Sequence, residues 1–259
     1  MKRHKHKNPP SHIVFGVHPV LEALSGSTDI EKILIRKEGS QHARMQDVLT
    51  QARKAGIPVQ RVPDEKIERV CRGNVVHQGI VALISPITYA SLEDIILKTQ
   101  EKGEIPLILL LDGVTDVGNF GAIARTAECM GVHAVVVPTQ GSAAIQAGAV
   151  KASAGALHHV PICRVPNLLD AFLLLEAYEI QRIGCTEKAE QEIFDIDLNL
   201  PTCLIMGSED KGISSSLLKR ADYLAKIPLQ GKIDSLNVSV ATGMVLMETI
   251  RQRNSGIQP

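Results

Sequence analysis

The chain has 259 residues, 44% of them hydrophobic and 22% charged, which fits one or two globular domains and excludes a disordered, collagen-like or coiled-coil chain. Twenty-eight Lys and Arg balance 28 Asp and Glu, so no overall basic field announces nucleic acid and any such surface is local. Aromatic residues make up 3% and Trp is absent, which argues against a recognition sheet built on stacking platforms.

The five cysteines, Cys71, Cys129, Cys163, Cys185 and Cys203, are widely spaced and form no C-x-x-C pair. They read as core thiols in a reducing compartment, not as a zinc site or redox motif. The longest apolar stretches, such as 107–111, fall far short of the roughly 18 residues that span a bilayer, and no apolar signal-peptide core follows the first residues. The expectation is a soluble, cytoplasmic protein without membrane contact.

The opening MKRHKHKNPP holds four basic residues, Lys2, Arg3, Lys5 and Lys7, and predicts an unstructured basic tail over 1–11 that either solubilises or attracts phosphate. Without it the chain is slightly acidic, 24 basic against 28 acidic residues. Residues 12–85 read as a small α/β domain: helix 19–24, strand 32–36, helix 41–54, strand 58–62, helix 64–71 and strand 79–84. Pro86 and a polar helix over 92–102, closed by Gly103, read as a linker spanning 86–104. From 105 to 259 the pattern is more apolar and more regular. Strands at 106–111, 134–138, 161–165, 181–186, 202–206 and 225–228 are mostly separated by helices at 120–130, 143–157, 168–178 and 238–251. Such alternation implies a largely parallel sheet covered on both faces.

In an open parallel sheet, ligands sit at the carboxyl ends of the strands, where loops and helix N-termini converge. After the strand ending at Leu111, Gly118 and Gly121 permit close approach around Asn119, and Arg125 lies opposite the apolar face of Phe120, Ile123, Ala124 and Ala127. Taken alone, Arg125 could be a solvated residue pairing with Glu128. A Rossmann dinucleotide loop is the obvious rival, but the glycine spacing is wrong and the next strand ends in Thr139 and Gln140, not in a ribose-binding acid. After Met206, Gly207 and Gly212 bracket Glu209, which could equally be a solvated turn residue. After Pro228, Asp234, Ser235, Asn237 and Ser239 crowd the start of an apolar helix, with Asn237 a candidate N-cap.

Together, N-x-G-x-x-x-R, G-x-E-x-x-G and I-P-L…S-L-N-V-S-V-A, in that order after three strands, resemble the motifs of the SPOUT RNA methyltransferases of the TrmH type. The likeness is closest to enzymes that methylate the 2′-hydroxyl of a guanosine in large-subunit ribosomal RNA. The opening F-G-V-H-P-V-L-E-A-L more loosely resembles their small α/β RNA-binding domain, which is similar to ribosomal protein L30e. The resemblance implies an α/β fold whose C-terminal SPOUT domain, with its parallel sheet, contains a trefoil knot. It also implies S-adenosylmethionine as methyl donor, no metal, a homodimer, and ribosomal RNA as substrate ahead of tRNA. Matched by motif position, Asn119, Arg125, Glu209, Ser235 and Asn237 are the functional polar residues, and Gly207, Ile227 and Leu236, with Thr139 added, are the donor-binding ones. The competing class is an RNA-binding protein that keeps the fold without catalysis, which would not require all five polar positions.

Overall fold

A computed structural model describes residues 12–26, 28–37, 43–72 and 75–256, so the basic tail expected over 1–11 lies outside the described residues. The chain forms two compact units, Met1–Thr88 and Tyr89–Pro259.

The first unit runs β1 (Ile13–Phe15), α1 (Val17–Ser25), β2 (Ile30–Arg36), α2 (Ala43–Lys54), β3 (Val59–Val62), α3 (Asp64–Cys71) and β4 (Ile80–Ile84). Its sheet has the order β1-β4-β2-β3, with β4 antiparallel to β1 and β2, and β3 parallel to β2. Strand alternation divides the core between two faces. Ile33, Ile35, Ile80 and Ala82 pack with Val20 of α1 and Met45 and Val48 of α2, while Leu34 and Val81 pack with Ile67 and Cys71 of α3. The three residues of β1 are too few to show a period of two, and the sequence reading passes over them.

The second unit begins with α4 (Leu92–Glu101), which corrects the expected linker over 86–104. Ser91 caps it by accepting the Asp94 N–H at 3.3 Å, and Leu92 and Ile96, one turn apart, are buried with Ile108, Leu110 and Phe172. Two buried apolar side chains, with Thr99 also buried, suffice to dock a helix that reads as polar, so it is a layer of the domain and not a connection. There follow β5 (Leu107–Asp112), α5 (Val117–Cys129), β6 (Ala134–Pro138), α6 (Ala147–Ala152), β7 (Ile162–Val165), α7 (Leu168–Ala177), β8 (Gln181–Cys185), β9 (Thr202–Gly207), α8 (Ser215–Leu218), β10 (Tyr223–Ala225) and α9 (Val238–Ser255). The helix expected over 143–157 is only α6 and a 3-10 turn at Ala156–His158. Ala154 and Gly155, at φ 49° and 88°, leave the helical region between them.

All neighbouring strands of this sheet are parallel, in the order β10-β8-β9-β5-β6-β7. The chain leaves β5 toward β7, crosses to β8, and then returns to place β9 between β5 and β8. Asp112 and Gly207 therefore end adjacent strands where the winding reverses, the position at which α/β sheets bind ligands. Helix α9 is fastened beyond the opposite, amino-terminal edge. The Arg253 guanidinium donates to the carbonyls of Ile105 at 2.8 Å, Pro106 at 3.1 Å, Leu198 at 3.0 Å and Leu200 at 3.0 Å. The Gln252 amide donates to the Ile196 carbonyl and accepts the Leu198 N–H.

At the outer edge, Arg182 of β8 is gripped by Asp222 through the guanidinium at 2.8 and 2.9 Å and by Glu176 at 3.0 Å. Among the cysteines Cys71, Cys163 and Cys203 are buried, but Cys129 is exposed at the end of α5, which corrects the expectation of core thiols throughout. Burial pushes the Cys163 thiol up to about 12, so it is an inert packing group. Among the described residues, no helix is long and apolar enough to cross a membrane.

Candidate active site

Strand β9 ends at Gly207, where an added Cβ would overlap the backbone of Gly212 and Ile213. Only glycine lets the following turn fold back this closely. Ser208 and Gly212 exchange two backbone hydrogen bonds, of 3.2 and 2.9 Å, and Gly212 closes the turn at φ 65°. Asp112, ending β5, accepts the Ser214 N–H at 2.7 Å and ties the far side of the turn to the neighbouring strand. Glu209 is thereby presented beside the first turns of α5 and α9.

Each helix supplies an asparagine. Asp116 caps α5 by accepting the Asn119 N–H at 2.7 Å. Gly121 allows α5 against α6, since its Cβ would meet the Ala152 side chain and lie 2.8 Å from the Ala152 carbonyl carbon and 2.9 Å from the Ser153 nitrogen. Asn237 caps α9, its Oδ1 accepting the N–H groups of Ser239 at 2.9 Å and Val240 at 3.4 Å. That cap fixes which end of the amide faces outward, and Nδ2 donates to Asn119 Oδ1 at 3.0 Å and to Glu209 Oε1. Asn119 Nδ2 donates to the same Glu209 oxygen at 3.1 Å. Three residues from the three motifs thus form one closed cluster.

Beside this cluster is a cleft of about 330 Å³. Met206, Ala225, Ile227, Leu229 and Leu236 give it an apolar wall, Gly207 lies along it, and Glu209 and Ser235 stand at its polar side. Gly207, Ile227, Leu236, Glu209 and Ser235 are therefore brought together, with Asn119 and Asn237 joined through Glu209. Two expected residues lie elsewhere. The Thr139 hydroxyl donates to the Val165 carbonyl at 2.9 Å, and the residue does not line the cleft. It follows a strand end, as a site residue would, but on the β6–β7 side of the switch point. Arg125 is exposed on α5, six residues past Asn119, and makes no hydrogen bond or ion pair among the described residues, so the pairing with Glu128 is not formed. The sequence reading missed Thr186, Glu187 and Lys188, which follow β8 and also line the cleft. The signal was available: they too follow the carboxyl end of a strand.

In the first unit, Asp64, Glu68 and His77 bring potential metal-ligand atoms within 4.8 Å of one another. The chemistry disfavours a cation there. Arg36 already holds Asp64 through both carboxylate oxygens at 2.9 and 2.7 Å, and His77 Nδ1 accepts the Gly79 N–H, which leaves the neutral ring's proton on Nε2.

Comparison with known proteins places this geometry in a family. Residues 106–247 match the SpoU rRNA Methylase family, and residues 13–90 match the RNA 2′-O ribose methyltransferase substrate binding domain. YacO of Bacillus subtilis (strain 168), from the TrmH family of tRNA/rRNA methyltransferases, is 35% identical over 241 residues, 93% of this chain and 96% of that protein. The SpoU methyltransferase AviRb from Streptomyces viridochromogenes, solved in complex with the cofactor AdoMet, has a TM-score of 0.60 and 27% identity over 94% of this chain and 91% of its own. An AdoMet-bound rRNA methyltransferase from Sinorhizobium meliloti has a TM-score of 0.58 and 26% identity, covering 93% of this chain and 87% of its own. Two domain matches in series and full-length likeness leave one conclusion: the chain belongs to the SpoU/TrmH family of RNA methyltransferases.

Proposed function

We propose that this protein transfers a methyl group from S-adenosylmethionine to a ribose 2′-hydroxyl of RNA, of the RlmB type, with a guanosine of 23S ribosomal RNA as acceptor. The observation that carries this reading is the cluster of Asn119, Glu209 and Asn237 at the edge of the cleft. The cleft fits the donor: it has nucleoside-compatible volume, an apolar wall, and a backbone cradle at Gly207 that a Cβ would fill. Gly207, Ile227 and Leu236 hold the donor, which supplies a methyl group on a sulfonium when bound. The protein's task is then alignment, which as effective molarity reaches roughly 10⁵ to 10⁸ M. A guanidinium is a poor base at neutral pH, so Arg125, free on the surface of α5, grips the phosphate beside the reacting ribose and thereby holds its 2′-hydroxyl in line with the methyl group. Ser235 hydrogen-bonds the substrate, while Asn119 and Asn237 orient Glu209.

The first unit selects the RNA; its match to a substrate-binding domain supports this, and its L30e-like character belongs to the same reading. The protein acts in the cytoplasm as a homodimer. Val240, Met244 and Met247, at helical spacing on α9, are 52%, 47% and 56% exposed beside Phe194, an apolar strip of the kind a second copy covers. The return of β9 between β5 and β8 supports the family's trefoil knot in the catalytic domain. The test is transcriptome-wide mapping of 2′-O-methyl groups in cells with and without the protein. Loss of one methyl in 23S rRNA is expected, loss confined to tRNA would move the substrate, and no change in any RNA would overturn the proposal.

A further inference from the structure

The reaction needs a group to receive the ribose proton, and the cationic Arg125 cannot be it. We infer that Glu209 is that group, acting through Oε2; the inference rests on the methyl transfer proposed above. Both asparagine amides donate to Oε1, which leaves the second oxygen's lone pairs uncommitted by either of them. The clamp is directional. Asn237 cannot turn its amide round without losing the two α9 backbone donors on its Oδ1, and Asn119 Oδ1 in turn accepts from Asn237, so both N–H groups stay aimed at Glu209.

Three other carboxylates line the same cleft, those of Glu187, Asp210 and Asp234. Glu187 meets only the Thr186 hydroxyl, at 3.4 Å, and among the described residues the Asp210 and Asp234 carboxylates have no hydrogen-bond partner that would fix them. Only Glu209 is both at the cleft and held in place. A general base must be oriented before its strength matters.

A carboxylate is a weak base beside a ribose hydroxyl, but this substitution does not require deprotonation first. As the 2′-oxygen bonds to the methyl carbon, the carbon–sulfur electron pair leaves on sulfur, and the oxygen acquires the character of a protonated ether, a strong acid. The O–H bonding pair stays on oxygen, the proton passes to Glu209 Oε2, and the products are the methyl ether and the neutral thioether. Glu209 is exposed, so its proton then returns to water.

The test compares Glu209→Gln with Glu209→Asp in single-turnover transfer to RNA, with donor affinity measured by calorimetry. Gln keeps the length and an acceptor for both asparagines but cannot take a proton; Asp keeps the acid on a shorter stem. A base predicts that Gln loses roughly 10²- to 10⁴-fold, that Asp is faster than Gln, and that the acidic limb of the wild-type pH–rate profile disappears in Gln. Donor affinity should stay within about threefold in both variants. A residue that merely orients the asparagines would rank Gln above Asp. That order, or Gln within about threefold of wild type, or an unchanged acidic limb, overturns the assignment. Absence of transfer by the wild-type protein to any RNA overturns the proposed function and this assignment with it, whereas active wild type with active Gln overturns the assignment alone.

Discussion

Substituting Gly207 by alanine places a methyl group where the backbone of Gly212 and Ile213 already stands. Neither obstacle is the end of a flexible side chain, so the turn must open or the end of β9 must move. Opening costs the two Ser208–Gly212 backbone hydrogen bonds, at about 1 kcal/mol each. Residual overpacking adds roughly 1 to 3 kcal/mol where the turn cannot swing clear. The expected loss is therefore about 2 to 5 kcal/mol in urea unfolding, accompanied by a fall in S-adenosylmethionine affinity of at least about tenfold. Gly212→Ala is the control. It has open space around its Cβ and only the unfavourable φ of 65° to bear, so it should cost about 1 kcal/mol. Equilibrium unfolding and calorimetric titration of both variants decide the matter. Gly207→Ala no less stable than Gly212→Ala, with wild-type donor affinity, would refute the argument that close backbone approach builds this site.

Arg125→Ala should change stability by less than about 0.5 kcal/mol, since the side chain has no partner within the described chain. It should slow single-turnover transfer by roughly 10²- to 10³-fold with donor affinity kept, and Arg125→Lys should recover little because a point charge does not replace a bidentate fork. Transfer by the alanine variant within about threefold of wild type would return Arg125 to a plain surface role. Asp222 predicts the acid behaviour. The Arg182 side chain, chiefly by hydrogen bonding, holds its carboxyl below the usual value, so the folded state binds that proton less readily than the unfolded one. The stabilisation is complete above about pH 4, the unfolded range, and is lost as the pH falls below it. Urea midpoints of Asp222→Asn should therefore decline less steeply than wild type below about pH 4; parallel declines would dismiss the pair as the cause.

The elements were legible wherever a pattern outlasted its ends. The alternation from 105 onward announced the parallel sheet, and the buried runs of β5, β6 and β9 are continuous apolar segments, as strands covered on both faces should be. Strand order was not legible, because nothing in the period of β9 says that it lies between β5 and β8. That order separates Thr139 from the cleft and brings Thr186, Glu187 and Lys188 to it. Motif position marks both asparagines as functional, while local spacing makes one a loop residue and the other a cap, and the cap is real; the joining of Asn237 to Asn119 and Glu209 depends on contacts across 118 and 28 residues of sequence, which local spacing cannot encode. α4 is legible as a helix but not as part of the domain, for the opposite reason: its composition is that of a solvated helix, and its docking rests largely on Leu92 and Ile96.

The anchoring of Arg253 to four backbone carbonyls sets an order in which the second unit should come apart. Carbonyl oxygens take up no proton in the pH range that neutralises carboxylates, and a contact between a cation and fixed dipoles is less exposed to dissolved ions than an exposed pair of charges. Acid therefore releases Arg182 from Asp222, loosening β10 from β8, while the four carbonyl contacts of Arg253 bind no proton and stay in place. At about 1.5 Å per residue, the 18 residues of α9 span roughly 27 Å from the asparagine cap to that anchor. A partly acid-unfolded form should thus keep its terminal helix protected from hydrogen exchange after the β10 edge has begun to exchange freely.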